Sequence, residues 1–497
     1  MQGKKNFQPR LFYQINLADF IPQDHLLRKL EKVLDLNWIR KATREYCSHT
    51  GKPSVDPVVL VKMLLIGYLY DIRSERRLAE EMSLNLAYRW YTGYDLDEEV
   101  PDHSIFSKAR KRFGQKLFLE VFNHILKQCL KAGLVKGDSL FVDSTLVKAN
   151  ASMSSLVEVK LSPEVHWREL ESSEEVKGPR GRPPKEKMNQ QIGRHFTGKM
   201  DLKKMGRRRR GRRVSYLNKR SPTDPDATVH YRPGIGASLS YKAHLTTEAS
   251  GFITAVAVSS NAVHDTNMLP QLLPRHRKHV GNPHLIVGDS HYGSFEALSY
   301  LQDQGIRTVI PPIGPRNRPH HYPKTLFHYD KEQDLFICPR GKKLPRQCKS
   351  HRTNQIIYRA KKEECNLCPD RKRCIDSTRA IARQVTRYDG DQIEKAQVLY
   401  DSALGKELMK KRKTAIEGTF AQAKSFHGLK RAKFRGKEKM EIQLLLTAAV
   451  INLKKLLARA RISSLEISKT FRNVYNFLFH NVLEYWSSSC LWYRLPA

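Results

Sequence analysis

Residues 139–152, SLFVDSTLVKANAS, open like a buried strand and then break its pattern. Ser139 to Val142 has the apolar and β-branched character of a core strand, yet Asp143 follows within the same run. A buried carboxylate stays ionised only if it is paired, hydrogen-bonded or metal-bound. A second aspartate has a similar setting. PHLIVGDSHYGS (283–294) is a short apolar run ending in Asp289, and the helical stretch SFEALSYLQDQG follows it. Neighbouring strands of one sheet would bring the two carboxylates together, where they repel unless a cation lies between them. Hard divalent cations such as Mg²⁺ or Mn²⁺ take oxygen ligands of this kind.

A third acid stands in KRKTAIEGTFAQAKSFHGLKRAKFRG (411–436), where Glu417 is the single acidic residue. Lys413 lies four residues before it and Lys424 seven after, so the three share one face of a helix. Cations beside a carboxylate suit a site that holds a metal and grips phosphate. An ordinary core-facing salt bridge is the plain alternative. Each acid alone would be structural. The order strand Asp, strand Asp, helix Glu is the specific signal.

Around these segments the chain divides by pattern. Residues 1–125 read as all-helical. DPVVLVKMLLIGYLY opens with Asp56 as a cap and Pro57 at the first helical position, and Ser74 and Ser104 offer caps for two later helices. Short helices with surface arginines fit a helix-turn-helix module, and equally a plain helical bundle. Residues 138–151 and 233–312 alternate strands and helices, including a hairpin around Glu248–Gly251, which predicts an α/β mixed sheet. Residues 152–232 are highly charged and predicted to be largely disordered without a partner. Residues 313–385 hold most of the cysteines. Helices return over 386–460, and 461–497 form a C-terminal tail.

The chain has 497 residues, enough for several domains, with 88 Lys+Arg against 50 Asp+Glu and a formal net charge of +38. Such an excess repels itself unless a polyanion neutralises it, so nucleic acid is the expected partner. Basic tails alone could give the same excess, but 40% of the residues are hydrophobic, enough for real cores. The N-terminus has no apolar signal region, and the strongest apolar run, VVLVKMLLIGYLY (58–70), is interrupted by Lys62. The expected location is therefore the cytoplasm.

Three segments carry a family resemblance. LFVDSTLVKA, LIVGDSHYGS and IEGTFAQAKSFHGLKRAKFRG resemble the catalytic segments of bacterial DDE transposases of the insertion-sequence 4/5-type superfamily, in particular the insertion-sequence 1182 group. The similarity extends to VPDHSIFSKARKRF, SPTDPDA and GASLSYKAHL, and so covers most of the chain. It implies an RNase H-like catalytic fold and two Mg²⁺ ions used to cut and rejoin DNA at transposon ends. Asp143, Asp289 and Glu417 would then be the metal-binding triad, and Lys424 the lysine of the family's Y-R-E-K signature. Lys413 takes the arginine position and Lys410 the tyrosine position. A lysine contacts phosphate as a point charge, without the two-pronged grip of arginine. His291 replaces the small residue that often follows the second aspartate.

Cys338, Cys365, Cys368 and Cys374 form C-x26-C-x2-C-x5-C, a spacing that fits Zn²⁺. Cys348 is an alternative fourth ligand, and unligated or redox-paired thiols are the competing reading. Four thiolates on zinc would fix a loop-rich insertion of little apolar content. Arg180 and Arg182 in PRGRP match the core of an AT-hook, which lies along a narrow minor groove, though a polycationic linker reads the same way. Arg207, Arg208, Arg209 and Arg210 in GRRRRGRR suit phosphate contacts without a base code.

The leading expectation is a transposase acting on double-stranded DNA at the inverted repeats of its own element, working as a homodimer or larger assembly. A non-catalytic, zinc-containing DNA-binding protein derived from a transposase is the alternative, and it predicts loss of at least one triad acid. An RNase H-like nuclease of RNA would share the triad but would not need the N-terminal helices.

Overall fold

The structure is a computed structural model that describes residues 15–46, 54–159, 196–199, 219–232, 234, 236–312, 322–350, 355–375, 380–388 and 390–459. The basic segment with Arg180, Arg182 and Arg207 to Arg210, and the tail 461–497, lie outside the described residues.

The N-terminal region is helical. Helix Pro57–Leu69 begins where Asp56 accepts from the Val58 amide at 2.9 Å, with Pro57 at its first turn. It is buried nearly all round, because Leu26–Val33, Glu75–Leu84, Leu86–Thr92 and Ser104–Lys131 surround it. Ser74 caps Glu75–Leu84 as expected. At the last helix the cap differs from expectation: Ser104 is already helical, and Asp102 accepts its amide. That helix breaks at Gly114, whose φ of 58° favours a residue without a Cβ. Among the described residues no helix is long and apolar enough to cross a membrane.

The second region is built on a mixed sheet. β1 (Ser139–Lys148) is central. β2 (Gly236–Thr247) pairs antiparallel to it, and β3 (Ile253–Ser260) pairs antiparallel to β2. On the other side β4 (Leu285–Val287) and β5 (Arg307–Val309) run parallel to β1. The order is therefore β3-β2-β1-β4-β5, with β2 alone running against the rest. A short strand, Thr228–Arg232, pairs with the first half of β2. The expected hairpin is β2–β3.

Both faces of the sheet are covered, so its strands are apolar on both sides. Leu140 and Val142 face one core with Ile286, Leu298 and Leu301. Phe141 faces the other with Val287, Ile416 and Phe420, which is continuous with the core of the N-terminal helices. Side chains alternate along a strand, so Asp143 shares the face of Phe141. This is the face on which the helices carrying Glu417 pack.

Two features fix those helices. The β2–β3 turn passes so close beneath them that a Cβ at Gly251 would meet the Lys455 ammonium, and the Gly251 φ is +76°. A helix over 437–459 lies in the core, and Asn452 clasps β3 across it. Its Oδ1 accepts from the Ile253 amide, and its Nδ2 donates to the Ile253 carbonyl, both at 2.8 Å.

The cysteine-rich segment differs from the loop-rich insertion expected. It is a five-stranded antiparallel sheet: His328–Asp330, Leu335–Ile337, Lys343–Ser350, Gln355–Arg359 and Gln384–Tyr388. It has its own core of Phe327, Phe336, Leu344, Ile356, Tyr358 and Val385. Tyr388 stacks on Phe295 at 4.6 Å and ties it to the helix that follows β4. Within 152–232, Val157–Val159 pairs with Phe196–Lys199 and Lys219–Arg220 in a small sheet.

Candidate active site

The register of the sheet brings the two aspartates together. Phe141 of β1 stands opposite Val287 of β4. Asp143 lies two residues further along β1, and Asp289 two residues past Val287, beyond the end of β4, so adjacent parallel strands spaced about 4.8 Å apart carry both toward the same end of the sheet. Asp143 is largely buried, its side chain 14% exposed. Asp289 lies just past the end of its strand and caps a short turn, accepting from the His291 amide at 3.0 Å.

Glu417 reaches the same face from a helix. Helices Ala403–Arg412 and Gly418–Phe426 are joined through a π-helical turn, Lys413–Glu417. Ala415 and Ile416 in that turn are buried against the sheet, which leaves Glu417 at its margin.

Two of the three acids, Asp143 and Glu417, are linked by a cation that the sequence spacing did not single out. Arg412 donates from Nη2 to Asp143 Oδ2 at 2.6 Å and from Nη1 to Glu417 Oε1 at 2.7 Å. It is 11% exposed. In a regular α-helix a residue five positions earlier lies on a different face. The π turn adds the extra residue per turn that brings Arg412 beneath Glu417. Lys413, expected on the face of Glu417, is exposed, and Arg412 makes the contact instead. Lys424 is half-buried two turns beyond Glu417, in the last turn of the next helix.

The electrostatics agree with this convergence. Burial pushes the Asp143 carboxyl up to about 6; the Arg412 charge and the Ser144 amide pull it down, and Asp289 and Glu417 push it up further. Asp143 therefore feels both other carboxylates. The hydrogen bond to Asp289 Oδ2, at 2.9 Å, raises the His291 imidazole above its ordinary value.

A buried polar group supports β1 from the side. Asp265 accepts from the Ser144 hydroxyl at 3.0 Å and pairs with Lys242 at 3.1 Å. Burial alone would raise its carboxyl, but Lys242 and the adjacent His244 overcome this and hold it below the ordinary value. Asp265 reads in sequence as the start of DTNMLPQLL, a plain helix opening, so only the fold reveals its position next to Ser144. Tyr292 is fully buried under the site and packs with Val142 and Ile286.

The four cysteines of the expected spacing also converge. Cys338, Cys365, Cys368 and Cys374 line one cavity of about 30 Å³, whereas Cys348 is exposed on a strand away from it. The CPRG turn closes with the Lys342 amide donating to Cys338 Sγ at 3.3 Å. The Arg383 amide points at Cys365 Sγ at 3.5 Å. Burial pushes the Cys374 thiol up to about 11; Arg383 lowers it, and the other three cysteines raise it.

Among the described residues, no group of three or more His, Cys, Asp or Glu side chains is arranged to hold a metal ion as it stands. At the carboxylates there is a physical reason: the Arg412 guanidinium lies between Asp143 and Glu417. The donor sets themselves fit: three neighbouring carboxylates, two of them bridged by a cation, and four thiols around one cavity with amides aimed at two sulfurs.

Comparison with known proteins is consistent with this geometry. No curated protein gives a match. Among solved structures, a cryo-EM structure of a piggyBac transposase synaptic complex with hairpin DNA aligns with 88% of this chain and 75% of that one, at 10% identity and a TM-score of 0.33. That likeness is too low to carry an argument. Residues 15–112 match the Transposase domain family (DUF772), and residues 337–457 match the Transposase DDE domain family. The chain thus carries two transposase domains, one over the N-terminal helices and one that includes Glu417, and together they support a DDE transposase.

Proposed function

We propose that this chain cuts and rejoins double-stranded DNA at the inverted repeats of its own insertion sequence, as a member of the insertion-sequence 1182 group. The observation that carries the reading is the convergence of Asp143, Asp289 and Glu417: one guanidinium bridges Asp143 and Glu417, and Asp143 feels the charge of both other acids. The strand order β3-β2-β1-β4-β5 supports the RNase H-like class for this core.

Asp143, Asp289 and Glu417 would hold Mg²⁺ or Mn²⁺. When bound, such ions activate the attacking oxygen and stabilise the leaving one in an in-line displacement at phosphorus. The chain's own part is positioning. β1 and β4 set two carboxylates at fixed spacing, and the buried Ile416 pins the helix that brings the third. Asp265, itself held by Lys242, locks Ser144 and so the backbone beside Asp143. Lys424, Lys413 and Arg412 supply positive charge where a phosphate would lie. Arg180, Arg182 and Arg207 to Arg210 would hold the flanking duplex by phosphate and minor-groove contacts. The N-terminal helices would read the ends, and pairing of two ends calls for a homodimer or larger assembly. As a DNA-acting enzyme it would work in the cytoplasm.

Cys338, Cys365, Cys368 and Cys374 would hold a structural Zn²⁺. Its role would be to staple the Cys338 turn to the segment carrying the other three, at the edge of the five-stranded sheet.

The test is cleavage of a labelled duplex carrying the element's terminal repeat. Wild type, Asp143→Ala and Glu417→Ala are compared in Mg²⁺ and in EDTA, with an RNA–DNA hybrid as the competing substrate. Nicking at the repeat boundary that needs metal and both acids supports the reading. Tight binding without cleavage by any variant, or cleavage of the hybrid alone, rejects it.

A further inference from the structure

Arg412 occupies oxygens that a metal ion would need. It holds Asp143 Oδ2 and Glu417 Oε1 at 2.6 and 2.7 Å, on a side chain 11% exposed. It does so through a π turn, a rare local geometry that places it under Glu417 and that recurs at functional sites. Its Nε is buried and finds no hydrogen-bond partner among the described residues. A guanidinium with one orphaned donor, held by two carboxylates that also repel each other, is a replaceable occupant.

We propose that Arg412 is a resident counter-cation of the triad that exchanges with the divalent metal. This rests on the reading of Asp143, Asp289 and Glu417 as metal ligands. In the DNA-free protein the guanidinium neutralises the two acids and competes with metal for the same oxygens. A divalent ion on Asp143 and Glu417 would repel the guanidinium that contacts the same two carboxylates, and this repulsion drives Arg412 out on metal entry. The expelled side chain, anchored at the head of the π turn, remains next to the site with its charge free for an incoming phosphate. DNA thereby stabilises the expelled position, and metal and DNA bind cooperatively, each tightening the other by the same factor. Arg412 acts as a positioning residue that delays metal loading until DNA is present.

The probe is Mn²⁺ alone, with free ion counted by electron paramagnetic resonance, titrated into the full chain with and without a short duplex. The proteins are wild type, Arg412→Gln, Arg412→Lys and Asp143→Ala, each checked for an intact thermal transition. Removing a competitor that occupies the site most of the time should tighten Mn²⁺ binding to DNA-free Arg412→Gln by about tenfold or more. Duplex should tighten Mn²⁺ binding to wild type and leave Arg412→Gln unchanged. Arg412→Lys, which loses the two-pronged grip, should fall between them; if Arg412→Gln does not fold, an affinity in Arg412→Lys equal to wild type overturns the proposal. Equal or weaker Mn²⁺ binding by Arg412→Gln, with binding abolished in Asp143→Ala, overturns the exchange while leaving the triad intact. Mn²⁺ binding that survives in Asp143→Ala removes the triad itself, and the proposal with it.

Discussion

Asp143→Asn should make the metal-free protein more stable while abolishing its chemistry. Burial, opposed by Arg412, raises the Asp143 carboxyl from 3.8 to about 6. Each tenfold rise in proton affinity is worth about 1.4 kcal/mol, so ionised Asp143 costs the folded state about 3 kcal/mol at neutral pH. The side chain is only 14% exposed, so solvent screening removes little of this. The amide that replaces the carboxylate carries no charge to desolvate and still accepts from Arg412, which keeps its bond to Glu417. Allowing for the weaker Arg412 contact, a net gain of about 1 to 3 kcal/mol follows, a rise in Tm of about 1 to 3 °C for a chain of 497 residues. The sign depends on pH. Below about pH 4 Asp143 is protonated in both states and the cost is absent; it grows as pH rises from there to about 6, and is constant above. The assay is thermal unfolding in EDTA of both proteins from pH 4 to 8, beside repeat-end cleavage in Mg²⁺. The variant should lead at pH 7.5 and lose its lead near pH 4, with cleavage down about a thousandfold or more from lost transition-state charge stabilisation. A variant less stable than wild type at pH 7.5, or a gap that ignores pH, would refute the reasoning.

Three other perturbations probe separate parts of the molecule. Asn452→Ala strands both backbone groups of Ile253 in a fully buried position, and should cost about 2 to 4 kcal/mol in urea unfolding, since each orphaned group is worth about 1 to 3. His276 is buried with neither ring nitrogen bonded among the described residues, and burial pushes its pKa from 6.5 down to about 4. Its neutral form therefore stabilises fully above pH 6.5, and up to about 3 kcal/mol is lost as pH falls from there to about 4; His276→Leu should flatten that part of the acid profile. Cys368→Ser should lower a zinc content of about one ion per chain, measured by a colorimetric chelator after denaturation, and open the segment 338–388 to protease, while the rest of the chain stays resistant.

Much of the core was legible because its signals are local. Alternation marked β1 and the β2–β3 hairpin, and a charge inside each apolar run singled out Asp143 and Asp289. The spacing of the four cysteines picked the four that share a cavity but left Cys348 open as an alternative, which the fold places elsewhere. Other features were hidden by their physics. KLPRQCKS (343–350) has too few apolar residues to read as a strand, since only Leu344 reaches its sheet's core. Helical spacing favoured Lys413 as partner of Glu417, because a π turn leaves no mark in the sequence and shifts the partner to Arg412. Asp265 acts through a contact with Ser144 across 121 positions, which no local pattern encodes.

The central claim is that Asp143, Asp289 and Glu417 hold the same divalent ions. Fe²⁺ placed at such a site cuts the backbone beside its ligands when supplied with ascorbate and peroxide. The measurement is Fe²⁺-driven scission of the DNA-bound protein, mapped by mass spectrometry with and without competing Mg²⁺. Three clusters of cuts are expected, next to Asp143, Asp289 and Glu417, all suppressed together by Mg²⁺. Cuts at one or none of these positions, or cuts that Mg²⁺ does not suppress, would contradict the claim.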